Sequence, residues 1–154
     1  MMKSRLNPFE VAPELMAPML ELEKAVRSSG LDLRLIHLVK IRASQLNGCA
    51  YCIHMHTRDA RAAGEYEERL YLLSAWRESP LYTARERAAL EWTEALTLVA
   101  ATHAPDAAYA ELANHFDEVE RVKLSMLVVA INGWNRIAVG FRQVHPDSSD
   151  RAAA

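Results

Sequence analysis

One stretch of the chain, residues 33–56, carries the features that decide the fold: LRLIHLVKIRASQLNGCAYCIHMH. Its first half has apolar side chains at the i, i+3 and i+4 steps of a helix, namely Leu35, Ile36, Val39, Ala43 and Leu46. Asp32 is a suitable N-cap for this helix, and Asn47-Gly48 is a typical helix stop. A second helix is predicted to begin around Cys49 and to end at Gly64. The stretch therefore predicts two consecutive helices, with two cysteines at the start of the second.

The remainder of the sequence also contains residues that are typical of helix starts and helix ends. Glycine (5) and proline (6) are scarce, and alternating β-branched runs are missing. Further helices are predicted from Ala17 to about Arg27, from Glu67 to Trp76, from the capping box Thr83–Glu86 through Val99, from Pro105 to about His115, from Asp117 to Ile131, and from Gly133 to His145. No linker-like change in composition divides the chain. We therefore expect one all-α domain of about seven to eight helices over residues 1–154, with its core over 33–100.

An internal echo suggests a duplicated helical pair. The apolar spacing of residues 39–48 resembles that of residues 124–133, and both segments end in Asn-Gly. If each Asn-Gly ends a helix, Trp134 takes the place of Cys49 and only the first copy carries the cysteines. An Asn-Gly stop is common, so the duplication and a chance similarity are equally good interpretations.

Charge and hydropathy exclude two classes of partner. The 154 residues carry 18 Lys and Arg against 20 Asp and Glu, and 51% are hydrophobic. Without a basic excess, binding to nucleic acid or to an anionic membrane surface is not expected. A membrane span needs about 20 apolar residues, and the apolar runs of this chain are far shorter. The first residues lack the apolar core of a signal peptide. A cytoplasmic location is the resulting expectation.

Both cysteines of the chain lie in one CxxC motif, Cys49-Ala50-Tyr51-Cys52. A disulfide between them would close almost no loop, so a stabilising role is a weak explanation. At about 100° per residue, Cys52 lies about 60° and His56 about 20° from Cys49 around the helix axis. The first turn of a helix favours a thiolate, and His56 is placed to take its proton. A second thiol one turn away can trap a sulfenic acid as a disulfide, or the pair can exchange disulfides without any peroxide.

Two other interpretations of these residues are buried core cysteines and a zinc site. Free cysteines are often buried core residues, although the coincidence of CxxC, a helix start and a histidine favours chemistry. A zinc site would need His54 and His56 together, yet they differ by about 200° around one helix. No second CxxC or histidine pair completes a tetrahedral set, so no metal site is expected.

Residues 33–64 resemble the core of the alkylhydroperoxidase D-like, carboxymuconolactone decarboxylase superfamily. The likeness rests on CxxCxxxH after Ala43-Ser44-Gln45-Leu46-Asn47-Gly48, and it extends more loosely over 82–98 and 132–136. The resemblance implies an all-helical fold and reduction of a hydroperoxide by thiols, without metal, haem or another cofactor. It also implies a homo-oligomer, either a trimer or a hexamer, and a dithiol or protein reductant such as a peroxiredoxin.

The resemblance also implies roles for individual residues. Cys49 and Cys52 would be the redox pair, with Cys52 as the peroxide-attacking thiolate because it lies nearer His56 by helical spacing. His56 would accept the proton, and Cys49 would resolve the intermediate and meet the reductant. The family usually has a glutamate twelve positions before the first cysteine, where this chain has His37. An imidazole can relay a proton but supplies no fixed negative charge, so His37 is either part of an altered relay or a packed polar residue.

Three alternatives to a peroxidase remain. The chain could be an oligomeric redox sensor whose CxxC oxidises without turnover, or a disulfide oxidoreductase without peroxidase activity. A lactone enzyme of the carboxymuconolactone decarboxylase type fits less well, because that branch generally lacks the cysteine pair.

Overall fold

The computed structural model describes residues 2–146 of the chain. Over these residues the protein is all-helical, as predicted, with no strand. The elements are α1 (Pro8–Val11), α2 (Pro13–Arg27), α3 (Leu33–Leu46), α4 (Ala50–Ala62), α5 (Glu67–Leu72), a 3₁₀ helix (Leu73–Glu78), α6 (Ala84–Thr97), α7 (Val99–Thr102), α8 (Asp106–His115) and α9 (Glu118–Gly140). None of the helices in this range is long and apolar enough to cross a membrane.

Side-chain caps set several of the helix starts. The carboxylate of Asp32 accepts a hydrogen bond from the Leu35 amide at 3.0 Å, which confirms the predicted N-cap of α3. Thr83 and Glu86 form the predicted capping box of α6, and an equivalent box at Asp117 begins α9. The start of α2 was predicted at Ala17, whereas the helix begins at Pro13.

Helix α3 lies at the centre of the fold. It packs against α4, α6 and α9, and nine of its fourteen residues are buried. The largest buried cluster joins α3 to α6, α8 and α9 through fully enclosed side chains such as Val39, Leu112 and Leu127. A second cluster, which includes Leu38 and Trp76, lies between α3 and the 3₁₀ helix. A third contains both cysteines with Ala43 and Ile131, so the CxxC motif is part of the core.

The predicted helix break at Asn132-Gly133 does not exist. Residues 118–140 form one helix, in which the Asn132 side chain donates to the Val128 carbonyl at 2.9 Å and to the Thr97 hydroxyl at 3.0 Å. Gly133 lies inside the helix, where a Cβ atom would come within 2.9 Å of the Met19 methyl group. Gly133 thus lies against the flexible end of Met19 on α2, whereas Gly48 ends its helix with a positive φ of 66°. The echo between 39–48 and 124–133 therefore does not extend to two helical pairs.

Candidate active site

A tight turn between α3 and α4 positions Cys49. Gly48 adopts the left-handed conformation, and the amide of Cys49 then donates to the Ser44 carbonyl at 2.9 Å. Cys49 is the N-cap of α4, and its Sγ accepts a hydrogen bond from the Cys52 amide at 3.3 Å. An amide aimed at this sulfur at a helix N-terminus stabilises negative charge on it.

A buried amide network fixes this turn to α9. Asn47 donates to the side-chain oxygens of Asn132 at 3.0 Å and Asn135 at 2.9 Å. Asn135 in turn donates to the Ser44 hydroxyl at 2.9 Å, and Ser44 donates to the Lys40 carbonyl at 2.7 Å. Because each buried polar group has a partner, the network holds the segment before the cysteines in one position.

The two cysteine sulfurs are joined in a disulfide, with the Cα atoms 5.4 Å apart. Cys49 is 1% exposed and Cys52 2% exposed. The pair is therefore shielded from bulk solvent in this chain.

His56 and His37 meet beside the cysteines. His56 is one helical turn beyond Cys52 on α4, and His37 comes from the facing side of α3. Their ring centroids are 6.2 Å apart, both residues are buried, and neither Nδ1 atom has a hydrogen-bond partner among residues 2–146. Of the site residues predicted from the sequence, Cys49 is thus bonded to Cys52, His56 follows Cys52 on the same helix, and His37 lies next to His56.

Both imidazoles are neutral near pH 7. Burial lowers the pKa of His56 to about 3, and the charges of Lys40 and Arg27 act in the same direction. Burial also lowers the pKa of His37, and the charges of Lys40 and Arg27 lower it further. The negative charges of Asp59 and Glu23 oppose this shift. A neutral imidazole with a free nitrogen accepts a proton, and once protonated it gives that proton up readily.

A buried ion pair next to the histidines was not predicted. The Lys40 ammonium, on a side chain 3% exposed, contacts Oε1 of Glu23 on α2. The other carboxylate oxygen of Glu23 is buried without a partner among the described residues. A lysine within the apolar run of α3 signals such a pair, because a buried ammonium needs a counter-charge, but no local pattern identifies Glu23 as its partner.

A pocket of about 290 Å³ opens beside Cys52. Its lining consists of Phe9, Leu20, Glu23, Arg27, Tyr51, Cys52, Met55, His56, Asp59, Trp134, Ala138 and Gln143. Cys49 is not part of the lining, so Cys52 is the cysteine that faces the pocket. Most of the lining is apolar, and Phe9 stacks on Trp134 with ring centroids 6.2 Å apart. Trp134 packs against the buried cluster that contains the cysteines and also forms a wall of this pocket.

Possible metal ligands are not gathered here. His54 points away from the site and stacks on His145, with centroids 4.7 Å apart. Within the part of the chain that the structure describes, no group of three or more His, Cys, Asp or Glu side chains is arranged to hold a metal ion.

Comparison with known families identifies the family of the chain. The family model named carboxymuconolactone decarboxylase family matches residues 13–95, more than half of the chain. The chain belongs to the carboxymuconolactone decarboxylase family. It is 44% identical over 138 residues to the uncharacterized protein YdfG of Bacillus subtilis. The aligned residues cover 90% of this chain and 94% of YdfG.

Solved structures of related proteins have the same fold. One is a protein of unknown function from Agrobacterium tumefaciens, named as a candidate AhpD antioxidant defence protein. It is 49% identical to this chain, and the two structures superpose with a TM-score of 0.93 over 95% of this chain and 100% of the other chain. Another is the debrominase Bmp8, 19% identical, with a TM-score of 0.81 over 93% of this chain and 76% of its own. At that identity Bmp8 shows only the shared fold. The family and its alkylhydroperoxidase D-like fold are thereby confirmed.

Proposed function

We propose that the protein is a thiol-dependent hydroperoxide reductase that cycles between the Cys49–Cys52 disulfide and the two thiols. The observation that carries the proposal is that Cys52, bonded to Cys49, lies with His56 on a largely apolar pocket. Such a pocket accepts the organic part of a hydroperoxide, and a neighbouring thiol resolves the oxidised sulfur.

The proposed cycle begins with the two cysteines reduced. The Cys52 thiolate attacks one peroxide oxygen, so that an S–O bond forms and the O–O bond breaks. The other oxygen leaves as an alkoxide and takes a proton to become the alcohol. The Cys49 thiol then displaces water from the Cys52 sulfenic acid, and a dithiol reductant returns the disulfide to two thiols.

His56 supports this cycle as a proton carrier. Neutral at working pH, it accepts the proton of the Cys52 thiol when the thiolate forms. Burial lowers the pKa of His56 to about 3 beside the disulfide, so in the reduced form the protonated ring depends on the negative Cys52 thiolate next to it, and the proton passes readily to the leaving alkoxide once that charge is lost. We assign His37 as the next carrier, because its ring lies beside His56 and has a nitrogen without a partner among residues 2–146.

Steady-state turnover tests the proposal. Purified protein is supplied with cumene hydroperoxide and dithiothreitol, and loss of peroxide is measured for wild type, Cys52→Ser and Cys49→Ser. Turnover that is lost in both variants supports the proposal. Equal, slow consumption by wild type and Cys52→Ser would contradict it.

A redox sensor without turnover is the second candidate. The burial of both cysteines favours it, since a large protein reductant cannot reach either sulfur without local opening. Thiol titration before and after one equivalent of peroxide, followed by the turnover assay, separates the two functions. A sensor loses its thiols once and then stops.

We also propose that the chain forms a homo-oligomer, either a trimer or a hexamer. Helix α9 carries an exposed apolar stripe at i, i+3 and i+4 steps, formed by Val119, Val122, Met126 and Val129. Such a stripe is typical of a subunit contact. Light scattering on the purified protein measures the mass directly, and a monomer would contradict the proposal.

A further inference from the structure

The charged side chains that line the Cys52 pocket differ in whether they have an ion-pair partner. Of the two carboxylates in the lining, Glu23 is paired with Lys40, and Asp59 is paired with Arg58 at 3.0 Å. Arg27 also lies in the lining, yet it has no ion-pair partner among residues 2–146. The lining therefore holds two carboxylates that each have an ion-pair partner, although one oxygen of Glu23 is unpartnered, and one guanidinium that forms no ion pair within the described residues.

The helix dipole explains why a basic residue occupies position 27, but it does not explain why this residue lies in the pocket lining. A basic residue in the last turn of a helix interacts favourably with the helix dipole, and both Lys24 and Arg27 lie in the last turn of α2. Lys24, however, is 78% exposed and faces Glu21 at 3.9 Å, whereas Arg27, also an exposed residue, is part of the pocket lining. The guanidinium is also close enough to lower the pKa of both His56 and His37.

The remainder of the lining suits an organic molecule. Phe9, Tyr51 and Trp134 provide aromatic surface, and Leu20 and Met55 add aliphatic surface. The volume of about 290 Å³ lies near the lower end of the range for small-molecule sites. A single cation in such a setting is well matched to a carboxylate, which a guanidinium binds through two parallel hydrogen bonds.

We propose that the Cys52 pocket selects organic carboxylates of modest size, with the apolar body against Phe9 and Trp134 and the carboxylate on Arg27. The inference rests on the proposed function for the fate of the bound molecule: the substrate is then a hydroperoxide of an organic acid. Neutral His56 adds no positive charge to the pocket at pH 7, so the selection depends on Arg27 alone.

Equilibrium binding tests this selection without any turnover. The probes are 4-phenylbutyrate and its neutral amide, which share one apolar body, and each is titrated calorimetrically into the disulfide form at pH 7.5. We expect the carboxylate to bind about tenfold more tightly than the amide, as one charge-assisted contact implies. The advantage should shrink as salt is added, because the guanidinium is partly open to solvent.

Two variants locate the effect. Arg27→Ala should bind the carboxylate about tenfold more weakly and remove its advantage over the amide. Lys24→Ala, which removes a cation from the same helical turn outside the pocket, should bind both probes as wild type does. Equal binding of the two probes to wild type, no binding of either, or equal weakening in both variants would overturn the inference.

The outcomes separate this inference from the proposed function. Turnover of neutral cumene hydroperoxide without carboxylate selectivity would overturn the inference and leave the peroxidase proposal standing. Carboxylate selectivity without peroxide turnover would support the inference at this pocket and contradict the peroxidase chemistry.

Discussion

The pKa of His56 makes a quantitative prediction about stability. Its value is about 3 in the folded protein, against 6.5 for an exposed histidine. Because the unfolded chain binds the proton more tightly, stability should fall as the pH falls through the window from 6.5 toward 3. Between pH 7 and pH 5 this one group should lower the free energy of unfolding by about 2 kcal/mol.

Urea unfolding of the disulfide form at pH 7 and pH 5 measures this loss. His56→Asn is the matched variant, because it keeps a neutral polar side chain at the position and removes the titration. Its free energy of unfolding should fall about 2 kcal/mol less than that of wild type over the same pH step, whatever its stability at pH 7. The pKa values of Glu86 and Glu94 are lowered below 4.5, so these carboxylates contribute little above pH 5. Equal losses in wild type and His56→Asn would refute the assignment of a buried, neutral His56.

Three further predictions concern the turn, the relay and the amide network. Gly48→Ala should lower the free energy of unfolding by about 1–2 kcal/mol through its positive φ alone, since no atom lies within 4 Å of the added Cβ. Gly140 is equally open but has no positive φ, so Gly140→Ala should leave the free energy of unfolding nearly unchanged in the same urea assay. His37→Glu should shift the acidic limb of the pH–rate profile to higher pH, because a carboxylate stabilises the protonated form of His56, and superimposable profiles would show that position 37 does not act on it. Asn135→Ala should cost about 2 kcal/mol in urea unfolding, since it breaks one buried and one partly buried hydrogen bond; a loss near zero would show that the network does not hold the turn.

Local signals in the sequence were enough to predict the region around the cysteines. Asp32, the Thr83 capping box and the Asn47-Gly48 stop depend on contacts within a few residues, and each is found where it was predicted. The same local signal failed at Asn132-Gly133, where the helix continues and the Asn132 side chain donates to the Val128 carbonyl and to the hydroxyl of Thr97, distant in sequence. A dipeptide specifies a helix end only when tertiary packing does not override it.

The pocket shows a similar limit. The spacing of Cys52 and His56 placed both on one helix face, and both line the pocket. Phe9, Glu23 and Arg27 reach it from α1 and α2, whose approach to α4 is set by packing and has no pattern of its own. The sequence therefore identifies the side chains proposed to react, whereas the properties that would select a substrate come from tertiary structure.

The central claim, that Cys52 is oxidised by a hydroperoxide, is tested most directly by trapping the product. Reduced Cys49→Ser protein, which lacks the resolving thiol, is treated with one equivalent of cumene hydroperoxide and then with dimedone, which reacts with sulfenic acids. The account predicts consumption of the peroxide and a dimedone adduct that peptide mass spectrometry assigns to Cys52. Unconsumed peroxide with an unmodified Cys52 thiol would contradict it.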